Sequence, residues 1–367
     1  MIFESIIFIY FFIFFASLLL LIYWWLTNPA DNYDLELKSY PFISILVAAR
    51  NEEKNILNCL TALSKLNYPK NSYEVIVGND NSDDNTEYLI DVFIKEKNNF
   101  HKVNITDNLG QAKGKANVLA HLVHKAKGEY FFITDADIEV PEYWVQSQLS
   151  NYTNGIGTVS GVTIVKGDRL LDKFQSLDWI FAFGMVKVVS DQNMPVSAVG
   201  NNMSISRVCY NSVGGYENIP FSVTEDFELF RQVLKKGWNY KNLLNAPVLA
   251  YTKGIESFWK LVLQRKRWMH GAMQLPLVLI ALLTLQALFF PFILALLIIC
   301  PLYGVIAWML KIILQNSFNA LVLKRMHLNF DLIKYIFVYE IYSGILATIM
   351  LVYYWVPDKI VWKGRKY

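Results

Sequence analysis

The apolar residues of this chain gather at its two ends, while its middle alternates short apolar runs with amphipathic stretches. Residues Ile6 to Leu26 are almost continuously apolar, and about 20 such residues are enough to span a bilayer. The run ends in the aromatic cluster Tyr23-Trp24-Trp25, which is typical of a membrane interface. No basic segment precedes it and no small-residue cleavage site follows. Residues 1–27 are therefore predicted to be a retained transmembrane anchor, with a linker over residues 28–40.

The last third of the chain is apolar again, and residues 274–356 are predicted to form a membrane region with two or three spans. Leu275 to Leu310 is long enough for two short spans or one kinked element, with Pro291 and Pro301 as expected break points. Leu332 to Val356 is a further candidate, and residues 357–367 form a basic tail. The basic residues Lys324 and Arg325 before this candidate and the basic tail after it both look cytoplasmic by the positive-inside rule, which one span between them cannot satisfy. Either one C-terminal segment is re-entrant or interfacial, or one basic cluster faces outward, so the expected total is three or four spans.

Four β-rich runs in the middle of the chain predict strands, and the amphipathic stretches between them predict helices. The predicted strands are Ile43–Ala49, Tyr73–Val77, Lys102–Thr106 and Tyr130–Thr134. This alternation over residues 41–252 predicts an α/β fold with a largely parallel sheet and helices on both faces. Ligands of such sheets bind beyond the carboxyl ends of the strands, where we expect Asn51, Asp80 and Asp137 to share one crevice.

The composition excludes several classes of protein. The chain has 54% hydrophobic and 18% charged residues, against about 25% charged in soluble domains, which supports a membrane protein. A net charge of +3 gives no indication of nucleic-acid binding. The three cysteines are far apart and suit a reducing compartment. Neither Gly-x-Gly-x-x-Gly nor Gly-x-x-x-x-Gly-Lys-Ser/Thr is present, which argues against a dinucleotide dehydrogenase and a P-loop NTPase.

Two acidic residues one position apart, Asp135 and Asp137, close the last of these strands. In an extended strand, residues i and i+2 point the same way, so both carboxylates can face one site. Hard oxygen ligands in this arrangement suit Mg²⁺ or Mn²⁺, especially a metal shared with a phosphate. The alternative is a pair of solvated turn residues at a strand end.

Three further polar clusters each have a structural and a functional interpretation. The run Asp80 to Asp84 is either a turn with a helix N-cap or a site where a carboxylate binds a nucleotide base. Lys115 either starts a helix or lies near a diphosphate. The acidic pair Glu225-Asp226 is favoured at a helix N-terminus by the macrodipole, and the same dipole would keep Asp226 ionised as a general base.

The segment of residues 253–273 contains Gln264-Arg265-Lys266-Arg267-Trp268. Its apolar stripe at helical spacing predicts an amphipathic helix lying on an anionic membrane surface. The functional interpretation gives Gln264, Arg267 and Trp268 an active-site role toward the leaving phosphate and the acceptor. Both interpretations can hold, because this helix precedes the predicted spans.

The order of these pieces resembles that of the membrane-integrated family 2 glycosyltransferases. This group includes cellulose, chitin and hyaluronan synthases and ceramide glucosyltransferase. The matching pieces are, in order, Arg50-Asn51-Glu52 after a strand, Asp80, Asp135-x-Asp137, Thr224-Glu225-Asp226 and Gln264-x-x-Arg267-Trp268. The resemblance covers about residues 41–271, and the closing Trp362-Lys363-Gly364-Arg365 is similar to the tail of several bacterial members.

The resemblance implies a nucleotide-sugar-binding, Rossmann-like GT-A domain and a metal-dependent, inverting hexosyl transfer, with UDP as the expected nucleotide. The residues implied to bind the nucleotide sugar are Ala49, Asn51, Glu52, Asp80, Lys115, Asp135 and Asp137. Asp135 and Asp137 are also implied to hold Mg²⁺ or Mn²⁺, which offsets the charge on the departing diphosphate. The residues implied to act in catalysis are Asp226 as the base, Glu225, Gln264, Arg267 and Trp268.

The few predicted spans favour a lipid acceptor over a growing glycan. A processive polysaccharide synthase, the alternative hypothesis, needs a helix bundle around a polar channel. The spans of residues 274–356 have few polar residues at their centres, and Gly200–Ser204 differs from the aromatic-rich loop of cellulose synthases. Leu170 to Val189 offers an apolar lip for a lipid, although packing against the sheet explains its aromatic residues equally well. We therefore expect one transfer to a lipid at the cytoplasmic face of a bacterial cell membrane.

A different class, an inactive scaffold or a sugar-nucleotide-binding module, is disfavoured. Such a protein has no need of a base at Asp226 or of a leaving-group clamp at Arg267. Nucleotidyltransferases share this type of fold, but the segment Gln264–Trp268 has no evident task in them.

Overall fold

The computed structural model describes residues 2–28, 31, 34–356, 361–362 and 365–366, so parts of the predicted linker (28–40) and of the predicted tail (357–367) lie outside the described residues. The described chain forms two compact units. The sheet unit is drawn from Asp31–Ile164, Ser197–Lys253 and Val361–Tyr367. The helical unit is drawn from Met1–Ala30, Val165–Val196 and Gly254–Ile360.

The secondary structure follows the predicted alternation. The strands are β1 (Ile43–Ala49), β2 (Tyr73–Asn79), β3 (Phe100–Asn104), β4 (Tyr130–Asp135), β5 (Ile138–Glu139), β6 (Ile156–Ser160), β7 (Val162–Lys166), β8 (Asn202–Ser206), β9 (Asn239–Asn242), β10 (Leu249–Lys253), β11 (Val361–Trp362) and β12 (Arg365–Lys366). The helices are α1 (Ile2–Thr27), α2 (Ile56–Ser64), α3 (Thr86–Ile94), α4 (Lys115–Lys125), α5 (Trp144–Leu149), α6 (Leu170–Asp191), α7 (Arg207–Val213), α8 (Glu225–Lys235), α9 (Phe258–Ala272), α10 (Leu277–Ala287), α11 (Phe289–Ile299), α12 (Pro301–Arg325) and α13 (Ile336–Tyr353). All four predicted strands are present, although β3 begins and ends earlier than predicted.

Seven strands of the sheet unit form one sheet in the order β3-β2-β1-β4-β8-β6-β9. The first four run parallel, as predicted. β8 is antiparallel to both of its neighbours, β4 and β6, so the sheet is mixed rather than uniformly parallel. The strands β5, β10 and β7 form a second, small sheet.

The sheet has an apolar core on each face because its strands alternate side chains with a period of two. Ile43, Ile45 and Val47 of β1 pack into a cluster with α2, whereas Leu46 lies in the opposite cluster with α4 and α8. Helices therefore cover both faces, and the core fixes the register of β1 against its neighbours.

This register brings the carboxyl ends of three strands together at one edge of the sheet. In the parallel ladders, Ala49 of β1 lies opposite Asn79 of β2, and Ala48 lies opposite Asp135 of β4. The loops that follow these strands therefore start side by side. In the small sheet, Thr252 of β10 lies opposite Ile138 of β5, the residue that directly follows Asp137.

The helical unit contains α1, α6 and α9 to α13. Among the described residues, three helices are long and apolar enough to cross a membrane: Glu4–Thr27, Pro301–Arg325 and Phe330–Tyr353. The pair α10 and α11, bent by 42°, adds a fourth if it forms one span. These numbers agree with the predicted three or four spans. Pro301 is the first residue of α12, as expected of a break point, whereas Pro291 lies in the first turn of α11, where proline is tolerated, and not at the break itself.

The helix α6 belongs to the helical unit, although the predicted domain of residues 41–252 included it. Its Gly184 lies against α12, where an added Cβ would come within 2.6 Å of Val322 and 2.7 Å of Phe318. Phe181 makes an edge contact with the same Phe318 ring. The apolar residues of Leu170–Val189 are thus used in part for packing against a candidate span.

A buried ion pair joins two of the candidate spans. Lys311 Nζ on α12 donates to Glu340 Oε2 on α13, and both side chains are almost fully buried. The Lys311 ammonium also lies 5.4 Å from the ring centroid of Phe289 on α11. A buried charge is tolerated only with a partner, so this pair fixes how the two helices pack.

We expect Lys311→Met to destabilise the protein by about 3–5 kcal/mol, because it leaves the Glu340 carboxylate buried without its cation. The double variant Lys311→Met/Glu340→Gln should recover most of this loss, since neither side chain is then charged. Thermal unfolding in detergent measures both variants, with Lys334→Met as the control at an exposed lysine. Equal losses in the single and double variants would contradict a role for the pair.

Candidate active site

Four charged side chains meet at the carboxyl edge of the sheet. Lys115 Nζ lies 2.5 Å from Asp135 Oδ1 and 3.1 Å from Glu225 Oε1. Asp226, next to Glu225, also acts on Lys115 electrostatically. Each residue stands at the end of an element: Asp135 closes β4, and Lys115 opens α4. The structure therefore brings together four predicted site residues from three distant parts of the sequence, Lys115, Asp135, Glu225 and Asp226.

Lys115 stays charged in this cluster. Burial by itself would lower the pKa of its ammonium, but the carboxylates of Asp135, Glu225 and Asp226 outweigh that effect and raise the pKa above its ordinary value. The ammonium lies at the N-terminus of α4, where the helix dipole disfavours a cation. The three carboxylates thus hold it there.

Asp226 is held by two backbone N–H groups. The amide of Gly200 donates to Oδ2 at 3.0 Å, and the amide of Phe227 donates to Oδ1 at 2.8 Å. A Cβ on Gly200 would come within 2.4 Å of the Asp226 side chain, so only glycine allows this approach. The sequence singled out the segment Gly200–Ser204 only for its composition, and it gave no indication that Gly200 contacts Asp226.

The pKa of Asp226 is raised to about 6. Burial is the main cause, and the neighbouring Glu225 carboxylate adds to it. Lys115 and the two backbone N–H groups act in the opposite direction and keep the rise moderate. The result is a carboxyl group that can accept and release a proton near neutral pH.

A buried asparagine, Asn202, supports the turn that carries Gly200. Its Oδ1 accepts from Trp144 Nε1 at 2.8 Å and from Gln148 Nε2 at 3.1 Å. Its Nδ2 donates to the carbonyls of Val162 at 2.8 Å and Val248 at 2.9 Å. Because its partners come from separate segments, Asn202 fixes the turn in place without contacting the site itself.

Asp137, the second aspartate of Asp135-x-Asp137, has a different hydrogen-bond partner. Its Oδ2 accepts from Thr252 Oγ1 at 3.1 Å. The buried thiol of Cys59 has a raised pKa, caused first by burial and then by the carboxylates of Asp137, Asp135 and Glu52. Glu52, a residue that only the family resemblance implied, thus acts on the same thiol as Asp135 and Asp137.

A divalent cation suits part of this site. In the described residues no group of three or more His, Cys, Asp or Glu side chains could hold a metal by itself. Asp135 and Asp137 supply two hard carboxylates, and Asp135 is a third exposed. A metal with only two protein ligands must take others from a substrate or from water, which is the arrangement that Mg²⁺ accepts with phosphates.

The loops after β1 and β2 are tied together by hydrogen bonds. Arg50 Nη1 donates to the Asp80 carbonyl at 2.7 Å and lies 3.8 Å from its carboxylate. The backbone of Asp80 in turn donates to the Ala49 carbonyl at 2.9 Å. Asn51, with a positive φ of 53°, accepts from the Asp83 amide through its side chain at 2.8 Å. The predicted residues Ala49, Asn51 and Asp80 therefore form one connected wall.

The remaining predicted residues, Gln264, Arg267 and Trp268, lie on α9 in the helical unit. All three side chains are partly exposed. The guanidinium of Arg265 on the same helix lies 4.5 Å from the centroid of the Trp268 ring. We call α9 the motif helix. The predicted amphipathic helix of residues 253–273 is present, but it begins later, at Phe258, and ends one residue earlier, at Ala272.

Comparison with known proteins identifies the family. The model of the family described as Glycosyl transferase family 21 matches residues 8–367, so the chain belongs to that family. The predicted membrane glycosyltransferase class is confirmed.

Two relatives illustrate the range of the matches. A beta-monoglucosyldiacylglycerol synthase of Trichormus variabilis is 28% identical over 66% of this chain and 52% of its own length. A poly-beta-1,6-N-acetyl-D-glucosamine synthase of Staphylococcus aureus is 26% identical over 65% of this chain and 56% of its own length. The chain therefore spans about half the length of these relatives.

Among solved structures, a mannosyltransferase of Pyrobaculum calidifontis, in complex with GDP-Man and Mn²⁺, is similar over 97% of this chain and 99% of its own. The TM-score is 0.62 at 17% sequence identity. This similarity confirms the predicted GT-A-like α/β fold.

We expect the pH dependence of stability to reveal the raised pKa of Asp226. The unfolding temperature of Asp226→Asn relative to that of the parent protein should increase as the pH rises from about 4 to about 6 and then level off. Below this range Asp226 is protonated in both states, within it the unfolded state ionises while the native state stays protonated, and above it both states are ionised. The lost acceptor toward Gly200 adds a penalty that does not vary with pH.

The control for this comparison is Asp91→Asn, which removes an exposed carboxylate paired with Lys102. A flat difference between Asp226→Asn and the parent protein across this pH range would contradict the raised pKa.

Proposed function

We propose that this protein is an inverting, metal-dependent glycosyltransferase that moves a hexose from a nucleotide sugar to a membrane lipid. The observation that supports this most directly is the cluster of Lys115, Asp135, Glu225 and Asp226 at the carboxyl edge of the sheet, in a chain of glycosyl transferase family 21. It offers a base and an acidic strand end on the same side of the sheet.

Asp226 is the proposed general base. Its carboxylate would take the proton of an acceptor hydroxyl while that oxygen bonds to the anomeric carbon. The bond from that carbon to the diphosphate breaks at the same time, and the nucleoside diphosphate leaves with the bonding electrons. Attack from the face opposite the leaving group inverts the anomeric configuration. A pKa of about 6 leaves most of Asp226 ionised at neutral pH, while the carboxyl can still accept the proton.

The donor would lie over the wall formed by Ala49, Asn51, Glu52 and Asp80, with Asp80 toward the nucleotide base. Lys115 would lie near the diphosphate. Asp135 and Asp137 would hold Mg²⁺ or Mn²⁺, and a cation there would supply charge neutralisation for the departing diphosphate. The Mn²⁺ and GDP-Man in the similar mannosyltransferase support this expectation. On the motif helix, Gln264, Arg267 and Trp268 are proposed to act toward the acceptor and the leaving group.

A lipid is the proposed acceptor. Three or four candidate spans anchor the chain, and the relative from Trichormus variabilis is named as a synthase of a glucosylated diacylglycerol. A growing glycan is the second candidate, because the relative from Staphylococcus aureus is named as a synthase of a polysaccharide. We further propose that the sheet unit faces the cytoplasm of a bacterial cell, where its free thiols Cys59 and Cys209 stay reduced.

A transfer assay tests the proposal. The purified full-length protein in nanodiscs is given radiolabelled UDP-sugars or GDP-mannose, Mg²⁺ or Mn²⁺, and membrane lipid. We expect label in organic-soluble product, and we expect Asp226→Asn to lose transfer by a factor of about 10² or more while still binding the donor.

The control variant is Asp91→Asn, whose exposed carboxylate lies outside the site and should not matter. Label in high-molecular-weight material would favour the polysaccharide synthase. Full turnover in Asp226→Asn would exclude this residue as the base.

The pH profile of transfer should fall on the acid side with a midpoint near pH 6, because the base must be ionised and Asp226 titrates at about 6. Lys115 lowers the pKa of Asp226, so Lys115→Met should move this midpoint to higher pH. The position of the midpoint is the measurement, since the variant also loses donor binding. A midpoint that stays in place in Lys115→Met would contradict the electrostatic coupling.

A further inference from the structure

An acidic side chain outside the proposed catalytic set, Asp178 of α6, is the centre of a hydrogen-bonded cluster in the helical unit. Its Oδ1 accepts from the Tyr339 hydroxyl at 2.8 Å, and its Oδ2 accepts from the Tyr342 hydroxyl at 3.1 Å. Oδ2 also accepts from Arg265 Nη2 at 3.3 Å. Three helices, α6, α13 and the motif helix, therefore converge on one carboxylate.

The charges of Asp178 and Arg265 balance each other. Both side chains are largely buried, with 17% and 15% of their surfaces exposed. A buried guanidinium without a counter-ion is strongly disfavoured, so each of the two groups serves as the counter-ion that makes burial of the other possible. The two tyrosines are three positions apart on α13 and face the carboxylate together. They add neutral hydrogen bonds that fix its orientation.

This cluster continues to Trp268. The Arg265 guanidinium lies 4.5 Å from the centroid of the Trp268 ring, a cation–π geometry. On another side, Trp179 meets the Trp268 ring edge to face, with centroids 5.6 Å apart. Trp179 is the next residue after Asp178 on α6, so the same turn of helix contacts Trp268 both directly and through Arg265.

We propose that Asp178 is a positioning residue for the motif helix, which fixes the Arg265 guanidinium and, through it, the ring of Trp268. The cluster also joins the motif helix to the candidate span at α13 through Tyr339 and Tyr342. This gives the two arginines of the motif different tasks: Arg265 orients Trp268, and Arg267 remains for the leaving group. The inference rests on the proposed function for what Trp268 and Arg267 contact.

The kinetic test uses Asp178→Asn, which keeps the shape of the side chain and removes its charge. We expect kcat to fall by about tenfold to a hundredfold, while KM for the nucleotide sugar changes by less than about twofold, because acceptor-side geometry is disturbed and donor binding is not. The matched control is Asp172→Asn on the same helix, where a buried carboxylate pairs with Arg169 at 2.7 Å. It should cost stability but leave kcat nearly unchanged.

Arg265→Lys provides a second test that does not depend on Asp178→Asn folding. Lysine keeps the charge but lacks the planar guanidinium that stacks on an aromatic ring. We expect the same loss of kcat as in Asp178→Asn, and the double variant should be no worse than either single variant, since both act through one contact.

A readout without turnover separates this inference from the proposed function. The protein is labelled with 5-fluorotryptophan, and among its 10 tryptophans the Trp268 signal is assigned by its loss in Trp268→Phe. The ¹⁹F NMR signal of Trp268 should shift in Asp178→Asn and in Arg265→Lys but not in Asp172→Asn.

An unmoved Trp268 signal in both variants overturns the inference, and so does a parallel loss of kcat in Asp178→Asn and Asp172→Asn. A shifted signal in a protein that transfers no sugar would count against the proposed function alone.

Discussion

The ammonium of Lys115 is the interaction on which the candidate site depends. The fold brings Asp135, Glu225 and Asp226 to one edge of the sheet, and three carboxylates at such distances repel one another strongly wherever water is partly excluded. A single cation from the start of α4 offsets this repulsion. The balance is not complete, which is why Asp226 retains a pKa above that of an ordinary aspartate. The site is therefore charged, compact and poised for proton transfer because one lysine faces three acids.

The sheet was largely predictable because its strands carry their own signal. The short, almost continuously apolar and β-rich runs of β1 and β4 identify strands that are buried on both faces, and parallel strands between helices follow from the order of the elements. The antiparallel direction of β8 was not predictable, because the sequence of an apolar strand does not indicate whether it runs parallel or antiparallel to its neighbours. The sequence also did not predict that α6 belongs to the helical unit. Its contact with α12 depends on Gly184 and Phe318, which are more than a hundred residues apart in the chain.

The site was predictable in its charged members and not in its support. Asp135, Lys115 and Asp226 each follow or open a predicted element, but the strand-end rule grouped only Asn51, Asp80 and Asp137, and the family resemblance was needed to add Lys115 and Asp226 to the same site. Gly200 and Asn202 give no such local signal. Their importance lies in contacts with segments distant in sequence, namely Asp226 for Gly200 and the carbonyls of Val162 and Val248 for Asn202. Asp178 and Arg265 escaped for the same reason, since the tyrosines that fix them come from the last candidate span.

The two units compensate their buried charges in different ways, and this difference agrees with the proposed roles. In the helical unit, Asp178 and Arg265 form a one-to-one pair completed by neutral hydroxyls, and Lys311 and Glu340 form another. Such pairs hold geometry, because each buried charge depends on its partner. In the sheet unit, three acids share one lysine, so one negative charge is always poorly compensated. A group in that position gains most from taking up a proton, which is the property that a general base requires.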